Sequence, residues 1–572
     1  MTSSAAPSAS LADRVRAEVA RPRGMAILLL LLSLLTFLPG QNTIPALDRD
    51  ESRYATATRQ MLESGDFVQI RFMDTARNLQ PAGIYWLQSA SVSVFGDPEV
   101  REIWPHRVPS WINAIVSVFL TWAVASMLFG ARAGRWAAVF MATAVILTVE
   151  ARMAKIDATL CAVTLLAQVA LARIYLTRDE PAQRWWWPAL FWVALGMGLM
   201  LKGPIVLLVS GGTLLGLALL ERRGRWMLRL QPLWGVPLML AICLPWFIAI
   251  GVITDGEFFR KALGENAFGK VASAHEKHGG PPGYHLAAFT LMFFPASVLA
   301  WLSIPWVWAN RATPAVRFCV AWIVPAWIAF EFFGTKLPHY TLPLLPAVAA
   351  LAAAFMLEAP QKRFFGRPLL FAGAALLWVL FGLIVTVGPT VLQAVLKGAP
   401  QVLPAALAAL ALAGLVTALV LLIRGRAQQA AVAGVLTAVI SYVNAYGFVV
   451  PAAHEVFLSP RILAAAEQAR PACERPWLIS MRYREPSLVF QSGNQIQWAQ
   501  TPADAATALA GRRDCGVALI PPKFDAEFQA RAAAAGVTLK PAGRIRGVNY
   551  NAGRGNPKKA GRNDIILYTA AP

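Results

Sequence analysis

Residues 25–38 read MAILLLLLSLLTFL, an apolar run without a charge, and Arg14, Arg16, Arg21 and Arg23 lie just before it. A basic flank followed by an apolar run resembles a secretory signal. No small-x-small cleavage site follows, so the run is expected to stay as a first membrane span, with residues 1–24 as a cytoplasmic tail. Working outward, similar blocks of roughly 14–24 residues recur, close to the ~20 needed to cross a bilayer core as helix. They fall near 111–129, 136–149, 158–176, 187–201, 205–220, 234–253, 285–308, 318–333, 340–357, 369–387, 402–423 and 430–450, which with the first makes about thirteen spans. The composition agrees. Hydrophobic types make up 57% of the chain and charged types 15%, and the mean hydropathy is +0.51. Soluble domains are about 45–50% apolar and about 25% charged, so an ordinary soluble enzyme and a disordered chain are both excluded. The expected class is a polytopic α-helical membrane protein.

The formal net charge is +21, from 52 Lys+Arg against 31 Asp+Glu. Such an excess first suggests nucleic acid. Its placement gives a plainer account. Alternate loops are basic: Arg132 and Arg135; Arg173, Arg178 and Arg184; Arg222, Arg223, Arg225 and Arg229; Arg311 and Arg317; Lys362, Arg363 and Arg367; Arg424 and Arg426. With the N-terminus inside, these are the cytoplasmic loops, held at the anionic inner leaflet. An odd number of spans then leaves the C-terminus outside. The large outer pieces are residues 41–107, 254–284 and 451–572. The first contains two amphipathic stretches, 53–64 and 83–95, expected to lie on the membrane surface.

The tail, 451–572, has the size of a small domain. Its short apolar runs, PWLIS at 476–480, VALIP at 517–521 and IILY at 565–568, read as strands. Helical stretches at 460–469, 503–510 and 525–535 fall among them, so a small α/β layer domain is expected. Five cysteines are too few for a disulfide scaffold or a zinc cluster. Cys161, Cys243 and Cys319 fall in spans. Cys473 and Cys515 each precede a strand, and in an outer tail a bridge between them and two unpaired thiols both remain open.

Polar groups at the outer ends of apolar spans carry the functional signal, because burying them costs free energy unless they are paired or used. Asp48, Arg49, Asp50, Glu51, Arg53 and Tyr54 follow the first span. Arg152, Lys155 and Asp157, then Lys202, then Lys336, His339 and Tyr340 stand at later outer ends. One or two carboxylates among lysines suit chemistry on a phosphate-bearing substrate: a carboxylate acts as base, and cations neutralise a departing phosphate. Each has a structural alternative. Asp50 can cap the helix that starts at Glu51. Asp157 can simply pair with Lys155 or Arg152. Lys202 can snorkel to the interface. Lys336, His339 and Tyr340 can be interfacial anchors.

Residues 47–54 (LDRDESRY) and the ATATRQMLESGD that follows them closely resemble the first outer loop of the GT-C glycosyltransferases of the aminoarabinose transferase and protein O-mannosyltransferase superfamily. The resemblance continues at 81–88 (PAGIYWLQ), 152–157 (RMAKID), 201–204 (LKGP) and 336–343 (KLPHYTLP). It implies a GT-C fold, and a transferase whose donor is a sugar on undecaprenyl or a similar polyprenyl phosphate. The acceptor, lipid A or another envelope glycan, would meet it at the periplasmic face of a bacterial inner membrane. On that resemblance Asp50, Glu51 and Asp157 are the catalytic candidates. Arg53, Lys202, Lys270 and Lys336 would bind the donor phosphate, and Tyr54, Tyr85, His339 and Tyr340 the substrates. The sequence also departs from the family. Where the family often has Glu-Lys-Pro-Pro, this chain has Leu79-Gln80-Pro81-Ala82, and Asn266 stands where a metal-associated His is expected. Phosphate binding then leans on the cations named above and on Arg77. His275 and His278, at i, i+3 spacing, are the remaining metal candidates. No nucleotide motif is present, and no dissociable cofactor is required, because the donor's own sugar–phosphate bond supplies the free energy. Transfer to protein hydroxyls is one alternative. A transporter or flippase of lipid-linked sugars is another, and it would show inverted repeats and broken midplane helices.

Overall fold

The computed structural model describes residues 21–97, 101–222, 224–262, 280–358, 367–548 and 562–571. Its first helices are α1 (Pro22–Phe37), α2 (Asp50–Ser64), α3 (Gly83–Phe95), α4 (Trp104–Ala142), α5 (Val145–Glu150), α6 (Asp157–Leu176), α7 (Trp186–Lys202) and α8 (Ile205–Glu221). They are followed by α9 (Pro232–Ile253), α10 (Tyr284–Met292), α11 (Ser297–Ala309), α12 (Pro314–Phe332), α13 (Leu345–Glu358), α14 (Pro368–Thr386), α15 (Gly388–Lys397), α16 (Val402–Ile423) and α17 (Ala427–Tyr442). Among the described residues, eight helical segments are long and apolar enough to cross a membrane, and α1, α7, α8 and α11 are shorter apolar helices. The protein is therefore a helical membrane protein. α6 and the segment Pro338–Glu358 are the two most enclosed of these segments, the others being far more open to their surroundings.

Two expected spans are built differently from a continuous helix. α4 runs through the expected 111–129 span and on to Ala142, broken at Gly130, whose φ of 84° only glycine adopts cheaply. The expected 136–149 span stops at Ala142 and resumes as α5 after Thr143 and Ala144. The 285–308 span is likewise two pieces, α10 and α11, because Pro295 in the intervening turn has no N–H to donate.

The first outer segment carries α2 and α3, with a two-stranded ribbon between them, β1 (Arg71–Phe72) and β2 (Thr75–Ala76). α3 packs on α4 and α7. α2 is not a surface helix. Tyr54, Ala55, Ala57 and Met61 are buried, and so is Arg59, because the C-terminal segment covers it.

That segment begins with α18 (Leu458–Ala469) and continues as β3 (Trp477–Met481), α19 (Pro486–Ser492), β4 (Ile496–Ala499), α20 (Pro502–Ala510), β5 (Gly516–Ile520), α21 (Asp525–Ala534), β6 (Leu539–Val548) and β7 (Arg562–Ala570). The sheet order is β4-β3-β5-β7-β6, with β3 parallel to both neighbours and β7 antiparallel to both of its own. Side chains alternate along β3, as the period of two requires. Leu478 enters one apolar cluster with Ile462 and Leu488, and Ile479 enters the other with Leu509 and Phe528. Helices therefore cover both faces. Cys473 and Cys515 form a disulfide, with 5.8 Å between their Cα atoms, that ties the approaches to β3 and β5.

Candidate active site

Asp50 is the first residue of α2. The residue before it, Arg49, has φ 68° and ψ −116° and makes no side-chain cap, so Asp50 does not act as the helix cap. A non-glycine residue in that region costs about 1–3 kcal/mol and marks places where surrounding structure overrides local preference. The Asp50 side chain is 57% exposed, and its Oδ1 lies 3.9 Å from Arg53 Nη1. An open carboxylate beside a guanidinium is available to a ligand.

Glu51 is different, and its expected catalytic role is corrected here. It is fully buried. Its Oε1 accepts from Arg107 Nε (2.8 Å) and from the Ala154 N–H (2.9 Å). Its Oε2 accepts from Arg107 Nη2 (3.0 Å) and from the Leu47 N–H (2.8 Å). A carboxylate has about four lone-pair positions, and all are taken. Glu51 braces α2 against α4 and the 151–156 loop.

Asp157 starts α6 and sits in a cluster of charges. Lys202 Nζ is 2.5 Å from its Oδ1, Lys155 Nζ 3.7 Å from its Oδ2, and His339 Nε2 3.6 Å from Oδ1. Glu150, at the end of α5, approaches Lys155 Nζ (3.2 Å) and the other ring nitrogen of His339 (3.5 Å). Lys202 is delivered here because α7 stops at Gly203, which takes φ 62°, and because Pro204 then starts α8. The Lys202 ammonium also lies 5.4 Å from the centre of the Tyr340 ring, within cation–π range. Burial drives the Glu150 carboxyl up to about 7, against the pull of Lys155. Burial alone would lower the Lys155 ammonium, but Glu150, Asp157 and Asp50 together hold it above its ordinary value. The charge of Asp50 thus bears on Lys155 as well as on Arg53.

A third group closes that space. Arg77 Nε donates to the Tyr85 hydroxyl (3.3 Å), and its guanidinium stacks 5.3 Å from the Tyr54 ring centre. Although burial opposes it, the two tyrosines and Asp50 hold the Arg77 guanidinium above its ordinary value. Burial raises both tyrosines above theirs, so they stay neutral. The Tyr54 hydroxyl donates to Gln80 Oε1. Gln80 thus stands where the resemblance expects lysine, and Arg77 brings a cation to the same wall.

The structure brings together Asp50, Arg53, Tyr54, Tyr85, Asp157, Lys202, His339 and Tyr340. Lys336 is buried and donates to the Gly280 carbonyl (2.9 Å), tying the start of the α10 segment. Lys270, His275 and His278 lie outside the described residues. Glu150 escaped sequence reading; a carboxylate at the close of an apolar run was the only sign of it. Among the described residues, Glu150, Asp157 and His339 are the one group with the composition and spacing to hold a cation. Lys155 and Lys202 already press on both carboxylates, so an ion would have to displace an ammonium.

Residues 80–248 match the family model described as dolichyl-phosphate-mannose-protein mannosyltransferase. An undecaprenyl phosphate-alpha-4-amino-4-deoxy-L-arabinose arabinosyl transferase of Yersinia pestis (strain Pestoides F) is 28% identical over 349 residues, 59% of this chain and 60% of that protein. The protein of the same name from Pseudomonas savastanoi pv. phaseolicola is 27% identical over 311 residues, 54% and 57% of the two chains. This chain thus spans only 60% of the length of the first of these relatives. Among solved structures, ArnT from Cupriavidus metallidurans bound to undecaprenyl phosphate superposes with a TM-score of 0.70 at 20% identity, covering 96% of this chain and 100% of that one. The Archaeoglobus fulgidus oligosaccharyltransferase tethered to an acceptor peptide gives 0.51 at 9% identity, over 90% and 70%.

Proposed function

We propose that this chain, which has the fold of the GT-C membrane proteins and resembles the aminoarabinose and protein O-mannosyl transferases, transfers a sugar from a polyprenyl phosphate to an envelope acceptor. The donor class is the one named for the arabinosyl transferases it resembles, and the acceptor is lipid A or a related glycan. The observation that carries the reading is the site's charge pattern. Asp50, an open carboxylate, stands 3.9 Å from Arg53 and its charge bears on Arg77 and Lys155, while Lys202 pairs with Asp157.

In the proposed step, the acceptor oxygen attacks the anomeric carbon while the bond from that carbon to the phosphate oxygen breaks. The product sugar has inverted configuration, and the electron pair leaves on the polyprenyl phosphate. Asp50 orients the acceptor and takes its proton when the acceptor is a hydroxyl. An acceptor phosphate is already anionic and needs only positioning. The cations stabilise the charge that develops on the leaving phosphate. Lys155 and Lys202 are pre-set by Asp157 and Glu150, so they need not reorganise as charge appears. No dissociable cofactor enters this step.

The proposed setting is a bacterial inner membrane crossed about thirteen times, with the site and the C-terminal α/β domain on the periplasmic face. Basic loops on the opposite side support that orientation. A flippase is not favoured, because the polar groups gather at one end rather than along a path.

The test is mass spectrometry of envelope lipids and glycoproteins from a null strain, complemented with wild type or with Asp50→Asn. A sugar modification should vanish in the null and return with wild type. Asp50→Asn should restore it ~100-fold less efficiently or worse. Full restoration by Asp50→Asn would overturn the assignment.

A further inference from the structure

Phe490 belongs to α19, which links β3 to β4 in the C-terminal sheet. Its side chain is 1% exposed, yet it joins neither of the apolar clusters that flank that sheet. It packs with Ala46, Ala55, Ile103 and Ala154 instead. Ala55 lies about one and a half turns along α2 from Asp50. Ala154 adjoins Lys155 and leads into Asp157. One aromatic ring from late in the chain therefore shares an apolar cluster with both segments that carry the site's carboxylates.

Polar contacts fasten the same joint. Arg59 of α2 is buried and donates to the Phe490 carbonyl (2.8 Å) and to Asn494 Oδ1 (3.1 Å). Ser487 Oγ donates to Asp48 Oδ1, just before the strained Arg49. Behind the ring, Glu51 accepts from the Ala154 N–H and so joins α2 to the 151–156 loop. The Phe490 ring shares its apolar cluster with Ala55 and Ala154, one residue of each joined segment. Without it, the packing that holds the two segments at one separation would be lost, since interiors this dense do not close small voids for free.

We propose that Phe490 is a positioning residue, through which the C-terminal domain sets the distance between Asp50 and the Lys155–Asp157–Lys202 group. The domain then acts on the chemistry without touching substrate. The inference rests on the glycosyl-transfer reading only for its activity readout. Misplacing reacting groups by about 1 Å can cost ~100-fold in rate, so a wedge at this joint has a measurable effect.

The experiment uses the full-length protein in nanodiscs of phosphatidylethanolamine and phosphatidylglycerol. It compares wild type with Phe490→Ala and Phe490→Leu. Amide exchange is read by mass spectrometry in peptides covering residues 46–58, residues 150–158 and strands β3 and β5. In Phe490→Ala, exchange in the first two regions should rise ~10-fold while the strands keep their protection. With an undecaprenyl-phosphate sugar donor, kcat should fall ~10–100-fold and KM stay within about 3-fold. Phe490→Leu should recover most of both losses. Unchanged exchange at 46–58 and 150–158 would overturn the proposal. So would a uniform rise that includes β3 and β5, because the substitution would then merely unfold the domain. If wild type transfers no sugar from that donor, the functional reading fails, and the exchange measurement still decides the positioning role.

Discussion

Asp50 and Glu51 are chemically near-identical neighbours with opposite duties. Successive residues on a helix point about 100° apart, so when Asp50 faces the open site Glu51 faces the core. There it meets Arg107, itself fully buried. Breaking such a pair by removing one partner's charge leaves the other uncompensated and costs about 3–5 kcal/mol. Glu51→Gln should therefore lower the melting temperature and the yield of folded protein in detergent. Asp50→Asn, at an exposed position, should leave melting unchanged while activity collapses. Equal melting curves for the two variants would contradict this division of labour. The sequence marked the acidic pair as important but not which member does what. That depends on the rotation of α2 about its axis, which is set by contacts to residues 107 and 154, far away along the chain.

Elements place the cations. α7 must bring Lys202 to Asp157, and α3 lies against it at one very close approach. A Cβ added at Gly83 would stand 2.6 Å from the Met200 carbonyl oxygen, two residues before Lys202. Backbone cannot yield as a flexible side chain would, so only glycine fits there. Gly83→Ala should push the end of α7 and lower kcat ~10-fold with helical circular dichroism unchanged. Wild-type kinetics in Gly83→Ala would show that α7 tolerates the shift. Apolar runs announced nearly all of these helices. Their breaks were harder to read. Gly130 and Pro295 are single residues inside long apolar stretches, and glycine and proline also occur there without breaking a span.

On the scale of the whole molecule, the C-terminal domain is fastened to the rest of the chain by the joint around Phe490 and by the Arg101–Glu467 ion pair (3.0 Å), and within itself by the Cys473–Cys515 bridge. The bridge spans a sequence separation of 42 residues, and closing a loop of that order contributes about 2–4 kcal/mol. Cys473→Ser should unfold the C-terminal domain at lower denaturant than wild type while the membrane helices hold. A reducing agent should reproduce the effect in wild type and add nothing in the variant. An unchanged transition would mean that the sheet's two apolar clusters suffice alone.

The chain's order of apolar and basic stretches already specified a polytopic helical protein, because crossing a bilayer demands long uncharged runs whatever the partners. Asp50, Arg53, Asp157, Lys202, His339 and Tyr340 stand out in the sequence as candidates, because polar groups near the ends of apolar spans are costly unless paired or used and because the motifs around them resemble a known family. Strands β4 and β6 and helix α19 were not legible, being short and mixed in composition. Nor were the partners of Glu51, the place of Glu150 beside His339, or the place of Phe490 in one apolar cluster with Ala55 and Ala154. Apart from the Leu47 N–H on Glu51, each of these joins residues dozens to hundreds of positions apart. Local pattern sets which surfaces are apolar or charged, and only the packed fold decides which of them meet.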